Sequence, residues 1–532
     1  MRASSFLPLL LLAFACGDFS DGSPSSRPPS SPPGAPPTRG GVDAGVAASD
    51  AGGFYMPPEE SGDRYEALPV SPFVRTAHDP FSTFAADVDT ASYDIFVRDA
   101  TLGVLPEPES VRVEEYLNAF DYDYDFPPDT AAPFAIHLDA VAHPFDTELA
   151  LLRVAIQAEP PPEFQKRPTT ITYLVDTSGS MQSPDKLPLA QRVMRASLDV
   201  LDPTDEVAIV SYAGDVAVRL APTPVSNRAR IERAIDGLTA GGGTAGASGI
   251  HLAYDQAEAA FKVGGFNQVV LCTDGDFNIG ISDTEALVAL ITEKRRTGVG
   301  LTALGFGRGN LNDAMMERVS NAGNGFYSVI TSESHADRYA REGLLQGVTL
   351  VAKDLKIQLE LNPEHVVAYR LLGYENRALA DDDFRDDTVD AGEIGADHRM
   401  TALYELVLTG REVPMPEGAP AILDGAPVEG EREVAADELV RVKIRWKHVD
   451  ATEADPAYEL ASGLTPDEIQ TEADDDLAFA SALAMFGQIL RESPFAHPEA
   501  IDAIGAIFAA QAGRDDRRAE LSSLFARVMA GE

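Results

Sequence analysis

The middle of the chain alternates short apolar runs with amphipathic stretches. The runs ITYLVD, EVAIVSYA, QVVLCTD and GLTALGFG are apolar and rich in β-branched residues, as in strands that are buried on both faces. Between them, LPLAQRVMRASLDVL, SGIHLAYDQAEAAF and TEALVALITEKRRT carry apolar residues at helical spacing. This alternation predicts an α/β domain over residues 169–351, with a doubly wound, mostly parallel, Rossmann-like sheet and helices on both of its faces.

Segments on both sides of this domain have the two-residue period of half-buried strands. FAIHLDAVAHPF and LALLRVAIQA precede it, and LKIQLEL, ALYELVL and LVRVKIRWKH follow it. In the last of these runs one face carries Val440, Val442, Ile444 and Trp446. We expect the two flanks to pair as one β-rich body with the α/β domain inserted in it, because the ends of such a domain lie close together.

Amino-acid composition and the period of the apolar residues together indicate the domain boundaries. A stretch that includes SPSSRPPSSPPGAPPTRGG is too poor in large apolar residues to form a core. The last part of the chain, with DDLAFASALAMFGQILRE and EAIDAIGAIFAAQA, has helical spacing. The expected order is a signal peptide at 1–15, a disordered tether at 16–77, an N-terminal α+β module at 78–168, the α/β domain at 169–351, a β-rich domain at 352–464 and a C-terminal helical segment at 465–532.

The first residues have the features of an export signal. Arg2 precedes an apolar stretch from Phe6 to Ala15, which is too short to span a bilayer and ends in the cleavage pattern Ala-Phe-Ala. The segment also resembles a bacterial lipoprotein signal, in which Cys16 becomes the lipidated first residue. We expect an exported protein held on a membrane of the bacterial cell envelope through Cys16, in the periplasm or at the cell surface. Secretion without lipidation is the alternative.

Charge and cysteine content narrow the possible partners. The chain has 42 basic and 85 acidic residues, a net charge of −43, which argues against binding to nucleic acid or to an anionic membrane surface. The loop GGGTAGASG lacks the Gly-Lys-Ser/Thr ending of a phosphate-binding loop, so no nucleotide is expected. The chain has 2 cysteines, too few for a disulfide framework. Cys272, inside an apolar run, is expected to be buried and inert.

Oxygen-bearing side chains collect after the predicted strands. Asp176, Ser178 and Ser180 follow the first strand at alternate positions, Asp274 follows QVVLC, and Thr244 lies in a glycine-rich loop. In an open α/β sheet, groups at the carboxyl ends of strands share one edge. Hydroxyl and carboxylate oxygens suit a small hard cation such as Mg²⁺. The alternative for DTSGS alone is an Asx-type turn with a helix cap.

These motifs resemble a known site. D-x-S-x-S as DTSGS, a Thr in a downstream glycine-rich loop and the strand end TDG match the metal-ion-dependent adhesion site of von Willebrand factor type A (VWA) domains. The resemblance implies Mg²⁺ or Mn²⁺ as the cation. It implies direct contact from Ser178, Ser180 and Thr244, and contact from Asp176 and Asp274 directly or through water. It also implies an open coordination position that an acidic side chain of a protein partner fills.

The flanks resemble one bacterial family of VWA proteins. FSTFAADVDTASYD and SVRVEEYLNAFDYDY are similar to its N-terminal module, and YRLLGYENRALADDDFRDDTVDAGEIGADHRMTALYEL is similar to its C-terminal domain of unknown function. The resemblance covers residues 78–530. The family's biochemical role is poorly defined, so membership alone supplies no activity.

Two functions follow from the motifs. The first is a metal-dependent adhesion or scaffolding module of the cell envelope with no catalytic residue, because hydroxyl ligands leave the metal electrophilic toward an external anion and the motif offers no His or Cys. The alternative is a metal-dependent hydrolase, for which the sequence supplies no general base beyond Asp176 and Asp274.

Two further acidic stretches are candidate calcium sites. DVDTASYD (Asp87, Asp89 and Asp94) and ADDDFRDDTVDAGE (Asp381 to Glu393) lack the ligand spacing of an EF-hand and its central glycine. We expect both to be solvated loops.

Overall fold

The computed structural model describes residues 62–128, 132–160, 167–243, 247–275, 284–344, 349–389, 391–428, 430, 432–451 and 455–530. The expected signal peptide, Cys16 and the first part of the expected tether lie outside the described residues. The strands are β1 (Val74–Arg75), β2 (Phe81–Ala85), β3 (Phe134–Ala142), β4 (Ala150–Ala158), β5 (Thr169–Asp176), β6 (Glu206–Tyr212), β7 (Val216–Pro224), β8 (Phe266–Thr273), β9 (Gly300–Phe306), β10 (Tyr327–Ile330), β11 (Leu350–Leu361), β12 (Val366–Leu372), β13 (Gly392–Gly395), β14 (Arg399–Leu408), β15 (Val440–His448) and β16 (Tyr458–Leu464). The α-helices are α1 (Ala91–Thr101), α2 (Val113–Asn118), α3 (Leu187–Ser197), α4 (Arg228–Asp236), α5 (Ala247–Ala259), α6 (Thr284–Arg295), α7 (Asp313–Ala322), α8 (Glu333–Arg341), α9 (Asp475–Leu490), α10 (Ile501–Gln511) and α11 (Asp516–Ala530).

The central domain is the expected α/β fold. Its sheet has the order β10-β9-β8-β5-β6-β7, and all neighbouring pairs are parallel except β6 and β7. Apolar side chains of α3, α4 and α8 pack with one face of the sheet. Those of α5, α6 and α7 pack with the other face, together with α1 from the N-terminal flank. The sheet is therefore buried on both faces, which explains its continuous apolar strands.

The flanks form a two-sheet sandwich that mixes strands from both sides of the central domain. One sheet has the order β1-β12-β14-β4-β3, and the other has the order β13-β11-β15-β16 with β2 also paired to β11. The pairs β4 with β14 and β2 with β11 each join the N-terminal flank to the C-terminal one. The face expected to be buried in β15 is buried, with Trp446 3% exposed. The expected pairing of the flanks is confirmed.

The chain leaves the sandwich and returns to it at neighbouring points. The backbone N–H of Asp397 donates to the carbonyl of Glu159, just after β4, at 2.9 Å. The N–H of Ala396 donates to the carbonyl of Thr349, just before β11, at 2.8 Å. Since consecutive residues hold both ends, the central domain is an insertion whose two connections lie side by side.

The C-terminal helices cover the outer face of one sheet of the sandwich. Apolar side chains of α9, α10 and α11 share a core with those of α1 and α2. That core also includes Leu151 of β4 and Leu403 of β14. Within the described ranges, no helix is long and apolar enough to cross a membrane.

The expected extent of the tether is wrong for residues 62–77. Phe73 is 1% exposed, and β1 pairs with β12. Asp63 accepts hydrogen bonds from the backbone N–H groups of Gly309 (2.7 Å) and Leu311 (2.9 Å) and pairs with Arg98 at 2.9 Å. This segment is held by backbone pairing, a buried ion pair and a few buried apolar side chains such as Phe73, which are too few for composition alone to reveal.

Candidate metal centre

The strands β5 and β8 lie side by side and end at the same edge of the sheet. Val175 is paired with Cys272 in the parallel register. Asp176 is therefore at the end of β5 and Asp274 just beyond the end of β8, and both are buried, at 0% and 1% exposure. The topology brings together two carboxylates that are far apart in the sequence.

The turn after β5 points its hydroxyls toward each other. The N–H of Ser178 donates to Asp176 Oδ1 at 2.7 Å, which closes an Asx-type turn. The Ser178 and Ser180 hydroxyl oxygens are 2.9 Å apart. The Ser178 side chain does not cap the short 3₁₀ turn that follows at Gly179–Gln182. The turn half of the alternative interpretation is thus present, but the hydroxyls converge instead of capping a helix.

The TDG strand end is built around a tightly packed glycine. Gly275 has φ +96°, and a Cβ there would lie 2.4 Å from the backbone nitrogen of Asn312. The N–H of Gly275 donates to Thr273 Oγ1 at 3.1 Å, and this hydroxyl is 3.4 Å from Asp176 Oδ2. Each residue of the motif therefore has a role in positioning the two carboxylates.

The glycine-rich loop lies against the turn. The N–H of Gly241 donates to the carbonyl of Thr177 at 2.9 Å, and the N–H of Gly179 donates to the carbonyl of Gly242 at 3.3 Å. Thr244 itself lies outside the described residues, and its role as a ligand remains a prediction. The described part of its loop, residues 241–243, lies at the same edge as the two carboxylates.

Electrostatics at the site favour a bound cation. The pKa of Asp176 is raised to about 6, chiefly by burial and in smaller part by the nearby charge of Asp274, with hydrogen bonds from Ser178 acting in the opposite direction. Asp274 Oδ2 accepts a hydrogen bond from Lys186 Nζ at 2.8 Å, whereas Oδ1 is buried and has no hydrogen-bond partner among the described residues. A buried acceptor without a partner is costly, and the oxygen-only donor set is the type that Mg²⁺ prefers. The residues present fit a divalent cation.

A second group of acidic side chains is buried where α7 meets the N-terminal flank. Asp87, Glu115 and Glu317 each place one carboxylate oxygen within 4.8 Å of the others. Arg377 contacts Asp87 at 2.9 Å, Asp89 at 3.3 Å and Glu317 at 2.9 Å. The Arg377 guanidinium therefore lies among these carboxylates and connects the central domain to the flank.

The expectation that DVDTASYD is a solvated loop is wrong. Asp87, Asp89 and Asp94 are 5%, 4% and 2% exposed. Asp89 accepts from the N–H of Tyr327 at 2.9 Å, and Asp94 accepts from the N–H of Val329 at 3.2 Å. These carboxylates satisfy N–H groups of the edge strand β10, which would otherwise be unpaired. In the other acidic stretch, Asp382 and Asp386 are exposed as expected.

Sequence reasoning missed two residues of the candidate metal centre. Lys186 pairs with Asp274 across 88 positions of the chain, and Asn310 Nδ2 lies 3.5 Å from the same carboxylate oxygen. Neither residue stands at a strand end or in a repeated pattern. The predicted burial of Cys272 is confirmed, since it is a buried free thiol.

Comparison with known proteins gives matches along most of the described chain. Residues 59–153 match the family model described as von Willebrand factor, residues 171–276 that of the von Willebrand factor type A domain, and residues 347–530 that of the C-terminal part of the uncharacterized protein YfbK. The uncharacterized protein YfbK of Escherichia coli (strain K12) is 38% identical over 442 residues, which are 81% of this chain and 75% of that protein.

Two solved structures are also similar. A von Willebrand factor type A protein from Catenulispora acidiphila is 17% identical, with 77% of this chain and 90% of that chain covered and a TM-score of 0.39. The ArnB paralog VWA2 from Sulfolobus acidocaldarius is 14% identical, with 75% and 99% covered and a TM-score of 0.37.

Proposed function

The chain belongs to the YfbK family of VWA proteins, and from that premise we propose that it is a metal-ion-dependent protein-binding module of the cell envelope. VWA domains commonly mediate protein interactions, so the proposal concerns how this one binds. Its cation is Mg²⁺ or Mn²⁺. The proposal assigns no catalytic residue.

The observation that carries this proposal is that Asp274 Oδ1, buried at the same edge as the converging Ser178 and Ser180 hydroxyls, has no hydrogen-bond partner within the described part of the chain. In the proposed site, Ser178 and Ser180 contact the cation, as does Thr244 from its loop. Asp176 and Asp274 supply the negative charge, directly or through water. A bound cation offers a coordination position to an external oxygen anion.

The site suits an acidic ligand because its own charge is small. The serine hydroxyls contribute none, and Lys186 offsets Asp274. The partner is therefore a protein that presents an Asp or Glu side chain. Gly179 is exposed and Ser180 is half-buried, so a side chain from outside can approach the site at Ser180.

The test combines metal binding with capture. Mn²⁺ binding is measured by electron paramagnetic resonance for the full exported chain and for a Ser178→Ala/Ser180→Ala variant. The immobilised proteins are then incubated with envelope extract, with and without chelator. We expect Mn²⁺ binding and chelator-sensitive capture by the wild type only. Amidating the carboxyl groups of the extract should abolish capture.

Ser332→Ala/Ser334→Ala is the matched control, since these two hydroxyls are also 2.9 Å apart but lie on the surface at the start of α8. It should behave as wild type. Capture that survives chelator, or that is equal in the Ser178→Ala/Ser180→Ala variant, contradicts the proposal.

We also propose that Cys16 carries the lipid anchor. The apolar stretch before it and the Gly-Asp after it support this assignment. Several acyl chains would hold the protein stably on a membrane. A Cys16→Ser variant should be released from the membrane fraction, whereas a Cys272→Ser variant should be retained there. Retention of Cys16→Ser on membranes would assign the attachment elsewhere.

A further inference from the structure

A lysine occupies the charged edge of the candidate metal centre. Lys186 immediately precedes α3, and its Nζ donates to Asp274 Oδ2 at 2.8 Å. The side chains are 9% and 0% exposed, respectively. An exposed ion pair is screened by water and contributes little, but a buried pair holds charges that are costly to separate. The Lys186 ammonium group is therefore held in place at this site.

The backbone makes a slot for the stem of this lysine. Gly307 has φ +71°, and a Cβ there would lie 2.4 Å from Lys186 Cε. The carbonyl of Gly307 accepts a hydrogen bond from Arg98 at 3.0 Å, so the glycine is itself held in place. The lysine stem is consequently confined, and its charge stays beside Asp274.

The two oxygens of Asp274 have different environments. Oδ2 faces Lys186, with Asn310 Nδ2 at 3.5 Å, while Oδ1 has no hydrogen-bond partner among the described residues. One oxygen is thus engaged by a resident positive charge, and the other is left for a second one. A divalent cation at Oδ1 would share its carboxylate with the ammonium, and two positive groups so close to each other repel.

We propose that Lys186 is a resident counter-cation that competes with the divalent metal for Asp274 and sets the metal affinity of the site. The inference rests on the proposed function. With Lys186 present, the carboxylates of Asp176 and Asp274 and the ammonium sum to a single negative charge; without it they sum to two. Affinity for hard cations rises with the charge of the ligands. Lys186 therefore lowers the affinity of the protein alone for the metal. It also leaves the site with more net positive charge once the metal is bound, which favours the acidic partner. Metal and partner consequently bind with positive coupling.

The direction of the effect separates this role from a structural one. Lys186→Met keeps an apolar stem of similar length and removes the charge. By isothermal titration calorimetry of the full chain, we expect Mg²⁺ and Mn²⁺ to bind at least about tenfold more tightly than to wild type. In chelator the variant should melt at a lower temperature, because Asp274 loses its counter-charge, and Mg²⁺ should raise its melting temperature by more than it does for wild type. Simple structural damage would weaken metal binding instead.

Two further variants complete the test. Lys186→Arg keeps the positive charge beside Asp274 and should bind Mg²⁺ within about threefold of wild type. Lys294→Met is the matched control: its ammonium also lies 2.8 Å from a carboxylate, that of Glu258, but these side chains are 21% and 38% exposed. It should leave metal affinity unchanged. If Lys186→Met does not fold, Lys186→Gln is measured in its place, with the same expectation.

The outcomes distinguish the two proposals. If the wild type binds metal and captures its partner in a chelator-sensitive way, but removal of the Lys186 charge leaves metal affinity unchanged or weaker, the role of Lys186 is overturned and the proposed function stands. If neither wild type nor the Lys186 variants bind Mn²⁺, the proposed function fails and this inference fails with it.

Discussion

Arg377 is the side chain whose removal should most clearly weaken the contact between the VWA domain and its flanks. It follows β12 and contacts Asp87 and Asp89, which follow β2, and Glu317 of α7. Its side chain is 13% exposed, and those of its three partners are 3%, 3% and 8% exposed. Removing one member of a buried ion pair costs about 3–5 kcal/mol, because the other charge is left uncompensated. We expect Arg377→Met to lower the free energy of unfolding by at least that range at pH 8.

The loss should depend on pH in a definite direction. Burial, and then the charge of Asp87, already raises the pKa of Asp89 well above its usual range. Without Arg377, the charge that lowers the pKa of Asp89 is lost, so Asp89 binds a proton still more readily in the folded state than in the unfolded one. The unfolding free energy of the variant should therefore rise relative to wild type as the pH falls from 8 to 5. Burying a protonated carboxyl group costs less free energy than burying a charged one.

The assay is urea unfolding followed by fluorescence. The chain has one tryptophan, Trp446, which is buried in β15 of the sandwich and therefore reports on the flanking body. Arg192→Met is the matched control, because Arg192 lies 2.6 Å from Asp337 but is 44% exposed; its free energy of unfolding should stay close to that of wild type. If Arg377→Met at pH 8 is as stable as this control, or if its loss is as large at pH 5, the reasoning is refuted.

Three further predictions concern buried or constrained positions. Burial, and then Glu375, raises the pKa of Glu114 to about 7, and neither carboxylate oxygen has a hydrogen-bond partner among the described residues. The contribution of Glu114 to the unfolding free energy should therefore fall as the pH rises from about 4.5 to 7, and Glu114→Gln should be more stable than wild type at pH 8 by on the order of 3 kcal/mol in urea titrations. Gly275→Ala should lower the free energy of unfolding by clearly more than the about 1–3 kcal/mol expected from strained backbone alone, because its Cβ would also clash. In thermal melts, Gly264→Ala, at φ +68° with open space around it, should stay within that range. Asp63→Ala should release the segment around it, which limited proteolysis would detect as a new early cleavage; an unchanged digestion pattern would contradict the anchoring role of Asp63.

The sequence was most informative where chemistry is local along the chain. Asp176, Ser178, Ser180 and Asp274 stand directly after apolar runs, so the period of those runs and the topology of an open sheet were enough to bring them together. The alternation of strands and helices likewise predicted the central sheet, and the two-residue period predicted the sandwich. These features depend on spacing that a single segment carries by itself.

The same reasoning could not identify long-range ion pairs. Lys186 meets its partner across 88 positions, and Arg377 meets Asp87 across 290. Acidic residues in a polar stretch read as solvated when their counter-charge is so distant, which is why the burial of Asp87 and Asp89 was missed. Asp63 was missed because its partners are the distant Arg98 and backbone N–H groups, and backbone groups are the same in every sequence.

The side-by-side connections of the inserted domain bear on the order of folding. If the chain between Glu159 and Thr349 were a flexible loop of about 190 residues, closing it would cost about 2–3 kcal/mol more conformational entropy than closing one of about ten. A VWA domain that has already folded brings these two points together and removes that entropic penalty. We therefore expect the inserted domain to acquire its structure first and to act as the template on which strands from the two distant halves of the chain find each other.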